Sequence, residues 1–490
     1  MRVGLVALAF FLGIEAAGAQ TPPPPATAHL AVSTTKLAAQ QAFDEGLTLL
    51  YAFNPEEARR RFEHAAGLDP ALAMAYWGIA MSWGVNINSG FEPANQRLGR
   101  EAAHRATALA QDATPLERGL IDAASKRFAY DLKADAATSA RAYRDAMDAL
   151  ARRFPDNDDV QALAVEAALD VTPWGYWDGG QPAAGIASAI ARLETVLKRD
   201  QEHIGANHFL IHALEQSPHP DRALAAAARL NAMALEPAAE HLAHMPAHIY
   251  MQVGDYHAAG NANARALDLF DAYLAGEHAN GHENYRPHDC AFAVDAYMMS
   301  GEAAAALRSA RRCSARLVAE VIVRFRRWAE LGTAADLPFA HGMAAVVDGH
   351  IAQAEADARN LEAAKSEVTS IAALLVRAKI AAARGDRDGE IATLRRAVAK
   401  QDLEGYGEPP EFFFPVRESL GGALLRAGRP VDAERVFRDD LDKNESNPRS
   451  LYGLAESLRR QGRTTEAEAA QQSFAAAWRY ADATLAINDL

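Results

Sequence analysis

Histidine is concentrated in one part of this 490-residue sequence, where the spacing of the imidazoles suits metal chemistry. The segment from His203 to His288 is under a fifth of the chain, yet it holds most of the 16 histidines. The most closely spaced are His208, His212, His241, His244 and His248. Side chains three or four residues apart share one face of a helix, and two such histidines can chelate one ion. Neutral imidazole is the commonest protein ligand for zinc, copper, iron and nickel, so this spacing predicts a bound transition metal.

The number of imidazoles leaves the metal and its chemistry open. With His288 the cluster has six, enough for two ions with three histidines each, the ligand set of a coupled dinuclear copper site. One zinc ion held by three histidines and a water fits as well, with Glu215 or Glu166 as general base. Mixed ligation by His208, His244 and Glu166 would suit iron. Copper and zinc are favoured, iron is possible, and the HExxH signature of zinc proteases is absent.

Aromatic residues close to the cluster in sequence have two interpretations. Trp174, Trp177 and Tyr285 are predicted to form a substrate-binding wall above the metal, and Tyr250 is a candidate catalytic residue. The alternative is that these rings pack in the hydrophobic core. Pro246 separates His244 from His248, so a helix must bend or begin there.

Helical elements must position these residues, because Ala, Leu, Arg and Glu dominate and β-branched runs are scarce. The fold class is therefore all-α. Helices are predicted at about 157–171, 204–216, 238–253 and 287–299. Gly428-Arg429 recurs as Gly462-Arg463 after 34 residues, which indicates an internal repeat.

The segments AYWGIA, IHALEQSPHP and HMPAHIY and the 34-residue period resemble the tetratricopeptide-repeat (TPR) family, in particular exported bacterial TPR proteins of generic annotation. The resemblance covers most of residues 38–482. It implies a right-handed α-solenoid of about nine to ten helical hairpins, whose first helices line a concave groove. TPR arrays mostly bind peptides in that groove, so a small molecule, a peptide or a protein partner is expected there.

Four segments interrupted by glycine and proline are predicted to be longer loops. They are 86–95, 172–183, 276–287 and 404–415. Repeat proteins commonly place such loops over a binding face. We therefore expect them near the histidines.

The N-terminus predicts export. Residues 1–19 combine Arg2, a short apolar run and an Ala17-Gly18-Ala19 site, which is typical of a cleaved signal peptide and too short to span a membrane. The protein is therefore predicted to be periplasmic or secreted. The remaining divisions are a Pro-rich leader at 20–37, N-terminal repeats at 38–155, central histidine-rich repeats at 156–300, C-terminal repeats at 301–482 and a tail at 483–490.

Charge and cysteine content narrow the function further. The formal net charge of −14 argues against nucleic-acid binding, and no later segment is apolar enough to cross a membrane. Cys290 and Cys313 either form a disulfide between two helices or remain buried thiols. The sequence thus predicts a metal-dependent oxidase or hydrolase, copper-like or zinc-like, acting on a small molecule or peptide. The alternatives are a non-catalytic peptide-binding scaffold and a periplasmic metal chaperone.

Overall fold

The chain folds into consecutive α-helices. The computed structural model describes residues 23–129, 136–276, 285–332 and 337–490, so the predicted signal peptide lies outside the described residues. The first twelve helices are α1 Leu37–Tyr51, α2 Pro55–Leu68, α3 Ala73–Met81, α4 Pro93–Leu109, α5 Pro115–Arg127, α6 Ala136–Arg153, α7 Asp158–Leu169, α8 Ile186–Arg199, α9 Ile204–Leu214, α10 Leu224–Ala232, α11 Glu240–His244 and α12 Pro246–Gln252. The next twelve are α13 Tyr256–Leu274, α14 Arg286–Ser300, α15 Ala303–Cys313, α16 Ala315–Phe325, α17 Pro338–Val347, α18 Ile351–Ala363, α19 Glu367–Ala383, α20 Arg387–Gln401, α21 Val416–Arg426, α22 Pro430–Leu441, α23 Pro448–Arg460 and α24 Thr464–Ala477.

Other regular structure is short. Single 3-10 turns lie at Ala110–Asp112, Pro220–Ala223, Pro237–Ala239, Trp328–Glu330 and Ile487–Asp489. Strands β1 Trp177–Asp178 and β2 Gln181–Pro182 pair antiparallel, with Trp177 opposite Pro182. Within the described part of the chain there is no other strand, so the predicted all-α class is confirmed.

Neighbouring helices pack as hairpins. The pairs are α1–α2, α3–α4, α5–α6, α7–α8, α9–α10, α11/α12–α13, α14–α15, α17–α18, α19–α20, α21–α22 and α23–α24. Successive pairs also contact one another, as α2 does α3 and α20 does α21. This is the TPR-like array of hairpins that the sequence predicts, with eleven pairs in the described residues against the nine or ten expected.

Local sequence signals begin and end these helices. The side chain of Asn54 accepts a hydrogen bond from the backbone N–H of Glu57 (3.1 Å) and so caps α2, with Pro55 as its first residue. The α14–α15 turn requires Gly301, which has φ +83° and lies against the Trp478 ring. Such caps and turns keep each helix at the length that its packing needs.

The four helices predicted around the histidines are present. They correspond to α7, α9, the α11/α12 pair and α14, with ends within three residues of those expected. Pro246 divides the third into two short helices, because its ring nitrogen has no proton to donate to the preceding turn. His241 and His244 therefore lie before the break and His248 after it.

The hydrophobic core is divided along the chain. The largest cluster runs from Leu30 to Tyr273, across the predicted boundary between residues 155 and 156. A second cluster runs from Ala345 to Leu490. A smaller cluster contains Leu267 and Tyr297 from the middle of the chain together with Phe413 from the C-terminal part.

Cys290 of α14 and Cys313 of α15 form a disulfide with a Cα–Cα distance of 5.9 Å, which decides between the two alternatives left by the sequence. The part of the leader that is described also packs on the fold, since Leu30 is buried and the backbone N–H of Ser33 donates to Glu117. None of the described helices has the length and hydropathy of a membrane span.

Candidate metal centre

The structure brings three of the predicted ligands into a first buried group. His208 and His212 project from α9, one turn apart, and His241 projects from α11. One ligand atom from each lies within 4.8 Å of the others. We call these three residues the first trio. All three side chains are buried, so they are removed from competing water.

One ring nitrogen of His208 and of His212 is already occupied. Nδ1 of His208 donates to the backbone carbonyl of Tyr51 (2.6 Å), and Nδ1 of His212 bonds Glu215 (2.9 Å). A carbonyl oxygen can only accept, so the proton of His208 is on Nδ1 and the lone pair is on Nε2. Neither Nε2 atom has a hydrogen-bond partner within the described residues, nor has either ring nitrogen of His241. Buried polar atoms are normally satisfied, so these nitrogens are the free donors of the group.

A second trio lies beside the first. His244 of α11, His248 of α12 and His288 of α14 place their Nε2 atoms together, with 2.9 Å from His244 to His248 and 3.2 Å from His244 to His288. Nδ1 of His244 bonds the side-chain oxygen of Asn263 on α13 (2.6 Å), and Asp289 lies 3.3 Å from the same atom. Three imidazole nitrogens that converge in this way form the donor set of a metal site.

Two carboxylates contact the Nδ1 atom of His248, the ring nitrogen that does not face the rest of the second trio. Nδ1 of His248 lies 2.9 Å from Glu215 and 2.8 Å from Glu408, and Glu408 also accepts from Gln252. Glu215 contacts both His212 and His248, so one carboxylate orients a ligand in each trio. Carboxylates that bond the far nitrogen of a ligating histidine fix its orientation and raise its basicity.

Five of the six histidines line one pocket, and His208 of the first trio is not among its lining residues. The ring centroids of His241 and His244 are 5.6 Å apart, and those of His212 and His248 are 6.3 Å apart. The pocket has a volume of about 390 Å³. Its lining consists of Asn88, Trp174, His212, His241, His244, His248, Tyr285, His288, Tyr406, Gly407 and Glu408. All four predicted loops therefore reach the site, each with at least one lining residue.

Burial keeps most of the imidazoles neutral. It lowers the pKa of His208, His241 and His244 well below the usual value, and lowers that of His212 less. Burial and the charge of His248 lower the pKa of His288 to about 4. A metal requires the deprotonated nitrogen, so these histidines are ready to bind at neutral pH.

His248 differs from the other five. Burial alone would lower its pKa, but the carboxylates of Glu215 and Glu408 outweigh burial and raise the pKa of His248 to about 10. The same contacts act on the partner, because His248 and His212 lower the pKa of Glu215 to about 2 against the effect of burial. This part of the site therefore carries a bound proton that a metal cation can replace.

Aromatic rings surround the trios. Tyr285 stacks on His241 at 4.5 Å between ring centroids. Trp174 meets His212 edge-on at 5.7 Å, and its indole nitrogen donates to the carbonyl of Ile87. Phe53, at φ +53°, packs between His208, His212 and His241 on the inner side. The predicted substrate-wall positions of Trp174 and Tyr285 thus lie at the pocket.

The remaining predicted residues lie elsewhere. Glu166 faces the buried guanidinium of Arg127 at 3.7 Å and does not line the pocket, so the structure does not bring it to His208 and His244 as the mixed iron set required. The indole nitrogen of Trp177 donates to Ala213, and Tyr250 packs against the core. Glu215 is at the site, but its two contacts to Nδ1 atoms make it an orienting group rather than a free base.

Sequence reasoning missed three residues of the site. Glu408 and Tyr406 come from the loop at 404–415, about 160 positions from His248, and the Tyr406 hydroxyl lies 3.4 Å from Glu215. Asn263 lies on the second helix of its hairpin. The signal that could have found the first two is the acidic and aromatic composition of EGYGEPPEFFFP, a loop already predicted to cover a binding face.

Comparison with known proteins finds similar solved structures and does not identify a function. No family model and no curated protein matches the chain. It is similar to the solved APC/C hetero-tetramer Cut9-Hcn1, with 12% identity over 91% of this chain and 79% of that one and a TM-score of 0.37. It is also similar to yeast Tom70 (10% identity, 89% and 91% coverage, TM-score 0.29) and to the P58(IPK) TPR domain (13%, 87% and 99%, TM-score 0.24).

Proposed function

We propose that this protein is a dinuclear metalloenzyme in which the two histidine trios bind one transition-metal ion each. The observation that carries the proposal is the pair of adjacent trios around one pocket, with buried ring nitrogens of the first trio that have no partner among the described residues. Two nitrogen-only sites in contact favour two ions acting on one substrate.

Copper is the metal that we propose for this donor set. The ligand positions are all imidazole nitrogens, which suit copper and zinc, whereas the nearby carboxylates bond Nδ1 atoms and are not needed as ligands. Protein-bound copper carries out one-electron and dioxygen chemistry, so a copper pair would make the protein an oxidase. Two zinc ions in the same places would instead support hydrolysis.

The residues of this chain have defined parts in such an enzyme. The Tyr51 carbonyl, Asn263 and the two glutamates hold the imidazoles so that their Nε2 atoms face the ions. Glu215 and Glu408 accept the proton of His248 and keep that ring oriented. A pocket of about 390 Å³ suits a small molecule or one side chain of a peptide.

The rim of the pocket favours a flat substrate. Trp174 and Tyr285 present ring surfaces on two sides, and Tyr406 adds a phenol on a third. Aromatic rings stack on one another with a gain of roughly 1 kcal/mol beyond the burial of surface. The proposed substrate is therefore a small aromatic molecule.

The Cys290–Cys313 disulfide supports the export that the N-terminus predicts, since disulfides persist in oxidising compartments.

Metal analysis tests the proposal. Protein purified without chelators and reconstituted with copper should hold two ions per chain by elemental analysis. His208→Ala should lose the ion of the first trio and His288→Ala that of the second, whereas the exposed His219→Ala should keep both. Two zinc ions with no copper uptake would favour the hydrolase. A chain that folds but binds no metal would leave a peptide-binding array.

Oxidase activity is measured separately. Copper-loaded protein should consume dioxygen when supplied with a catechol, and both histidine variants should lose that activity. If the protein takes up copper but consumes no dioxygen when small aromatic compounds are supplied, the metal-chaperone alternative is favoured.

A further inference from the structure

A second pocket lies among the C-terminal hairpins, apart from the metal centre. Its volume is about 230 Å³, and none of its lining residues lines the histidine pocket. The walls come from α16, α17, α19 and α21 and are mostly apolar. They include Val323, Trp328, Phe339, Met343, Leu375 and Phe414.

Positive charge exceeds negative charge around this pocket. Its lining has four cationic side chains and only two carboxylates, in a chain whose net charge is −14. The four cations are Arg324, Arg326, Lys379 and Arg449, and the two carboxylates are Glu418 and Asp489. The surplus is local and is not a consequence of overall composition.

The arginines are paired. Arg324 forms a two-pronged contact with Glu418 (2.6 and 3.0 Å), and the Nε of Arg449 donates to the same carboxylate (2.8 Å). Arg326 bonds Asp489 at 2.9 Å. Both acidic groups of the lining are thereby used by the guanidinium groups.

Lys379 is the cation left over. It lies one helical turn after Leu375 on α19 and is partly buried, and its ammonium makes no hydrogen bond or ion pair within the described residues. Burial, together with the positive charge of Arg426, lowers the pKa of Lys379 to about 8. An ammonium in this position is stabilised by any anion that enters, because charge in an apolar environment is costly unless paired.

We propose that this pocket binds a small apolar monocarboxylate, with the carboxylate on the Lys379 ammonium and the hydrocarbon part between Trp328, Phe339 and Phe414. The volume sets the size, since 230 Å³ at ~30 Å³ per water-sized group holds about eight non-hydrogen atoms. A phosphate would need several more donors than one free ammonium supplies.

Calorimetric titration of the full chain with hexanoate, which has eight non-hydrogen atoms, tests the site. One saturable site is expected, and hexanol, which has the same tail without the charge, should bind more weakly by about tenfold. Lys379→Met keeps the length of the side chain and removes its charge. This variant should weaken hexanoate about tenfold or more and leave hexanol unchanged, whereas Lys400→Met, on the surface beside Glu367, should change neither.

A second variant covers the case in which Lys379→Met fails to fold. Met343→Trp adds volume to the wall of the pocket and should abolish hexanoate binding while Lys379 is still present. Equal hexanoate affinity in the parent protein and Lys379→Met, or the absence of saturable hexanoate binding up to roughly 10 mM, overturns the proposal. Because the two pockets share no residue, the result should be the same with chelator-treated protein and does not depend on the metal proposal.

Discussion

At the scale of single residues, the candidate site depends on which nitrogen of each ring is already bonded. The carbonyl of Tyr51 fixes the proton of His208 on Nδ1, and Glu215 and Glu408 do the same for His248. The opposite nitrogen of each ring is then directed at its trio. These orienting contacts, as much as the histidines, define the proposed metal centre.

Replacing Glu408 tests this dependence. Glu408→Gln keeps the shape of the side chain but removes its charge, so His248 should be less basic and the second ion should bind about 10- to 100-fold more weakly. Competition with a chelator of known affinity measures the change. Glu411→Gln, in the same loop and exposed, is the matched control and should have no effect. Equal affinity in both variants would contradict an orienting role for Glu408.

The proton on His248 predicts a pH dependence of metal binding. The pKa of His248 is about 10, whereas that of His288 is about 4 and those of its neighbours are lowered, so at pH 6 to 8 only His248 must lose a proton to the ion. Affinity of the second trio should therefore rise about tenfold per pH unit in that window. Titration in buffers with different ionisation enthalpies would count the released protons. Zero protons released would be inconsistent with this charge distribution.

At the scale of helices, the break at Pro246 lies within the second trio, between His244 and His248. His244 and His248 are four residues apart, as in a continuous helix, but α11 ends before Pro246 and α12 begins with it. His241 and His244 both lie before the break and belong to different trios, so the break sets the position of His248 relative to His244 and does not separate the trios. A straight helix would present all three histidines of this segment along one face.

Pro246→Ala tests the break. Alanine restores the N–H of the interior turn and favours one continuous helix, so the protein should be at least as stable to denaturant. The second trio should nevertheless bind its ion roughly tenfold more weakly, since a ligand is moved out of position. Pro218→Ala, in an exposed turn, provides the control. Unchanged metal affinity together with unchanged stability would show that the break is not needed.

Periodicity and residue type predicted much at this scale and failed where contacts are distant. The helices holding the histidines and the four covering loops were expected, because helical spacing, glycine and proline act locally. Glu408 was not, since a contact across 160 residues leaves no mark on local pattern. Glu166 was predicted at the site as a general base or an iron ligand, but its carboxylate and that of Asp170 on the same helix face Arg127.

At the scale of the whole molecule, the site joins distant parts of the chain. The first trio lies against Tyr51 and Phe53 at the end of α1, and the second is closed by a loop that precedes α21. Five buried imidazoles, the partly buried His288 and the carboxylates that contact them are therefore part of the interior that the fold must stabilise. Without metal, the stability of the folded protein should therefore depend on pH.

The stability of the metal-free protein should be greatest near neutral pH. Unfolded histidine titrates at about 6.5, whereas folded His288 titrates near 4 and His208, His241 and His244 also have lowered pKa values. The unfolded chain thus binds more protons as pH falls from 6.5 to 4, and stability is lost. His248 has the opposite sign: its contribution is complete below pH 6.5 and disappears as pH rises towards 10. Urea denaturation across pH 4 to 10 measures both slopes, and a flat profile would contradict them.

The position of Glu408 has a consequence for the order of events in the cell. Domains generally fold from the N-terminal end as the chain emerges, so all six histidines are available before residue 408 has been made. An ion captured at that stage would meet a second trio without one of its two carboxylates. If the protein binds metal as proposed, full affinity then arises only in a chain that includes the loop at 404–415, and tight metal retention would distinguish such chains from shorter ones.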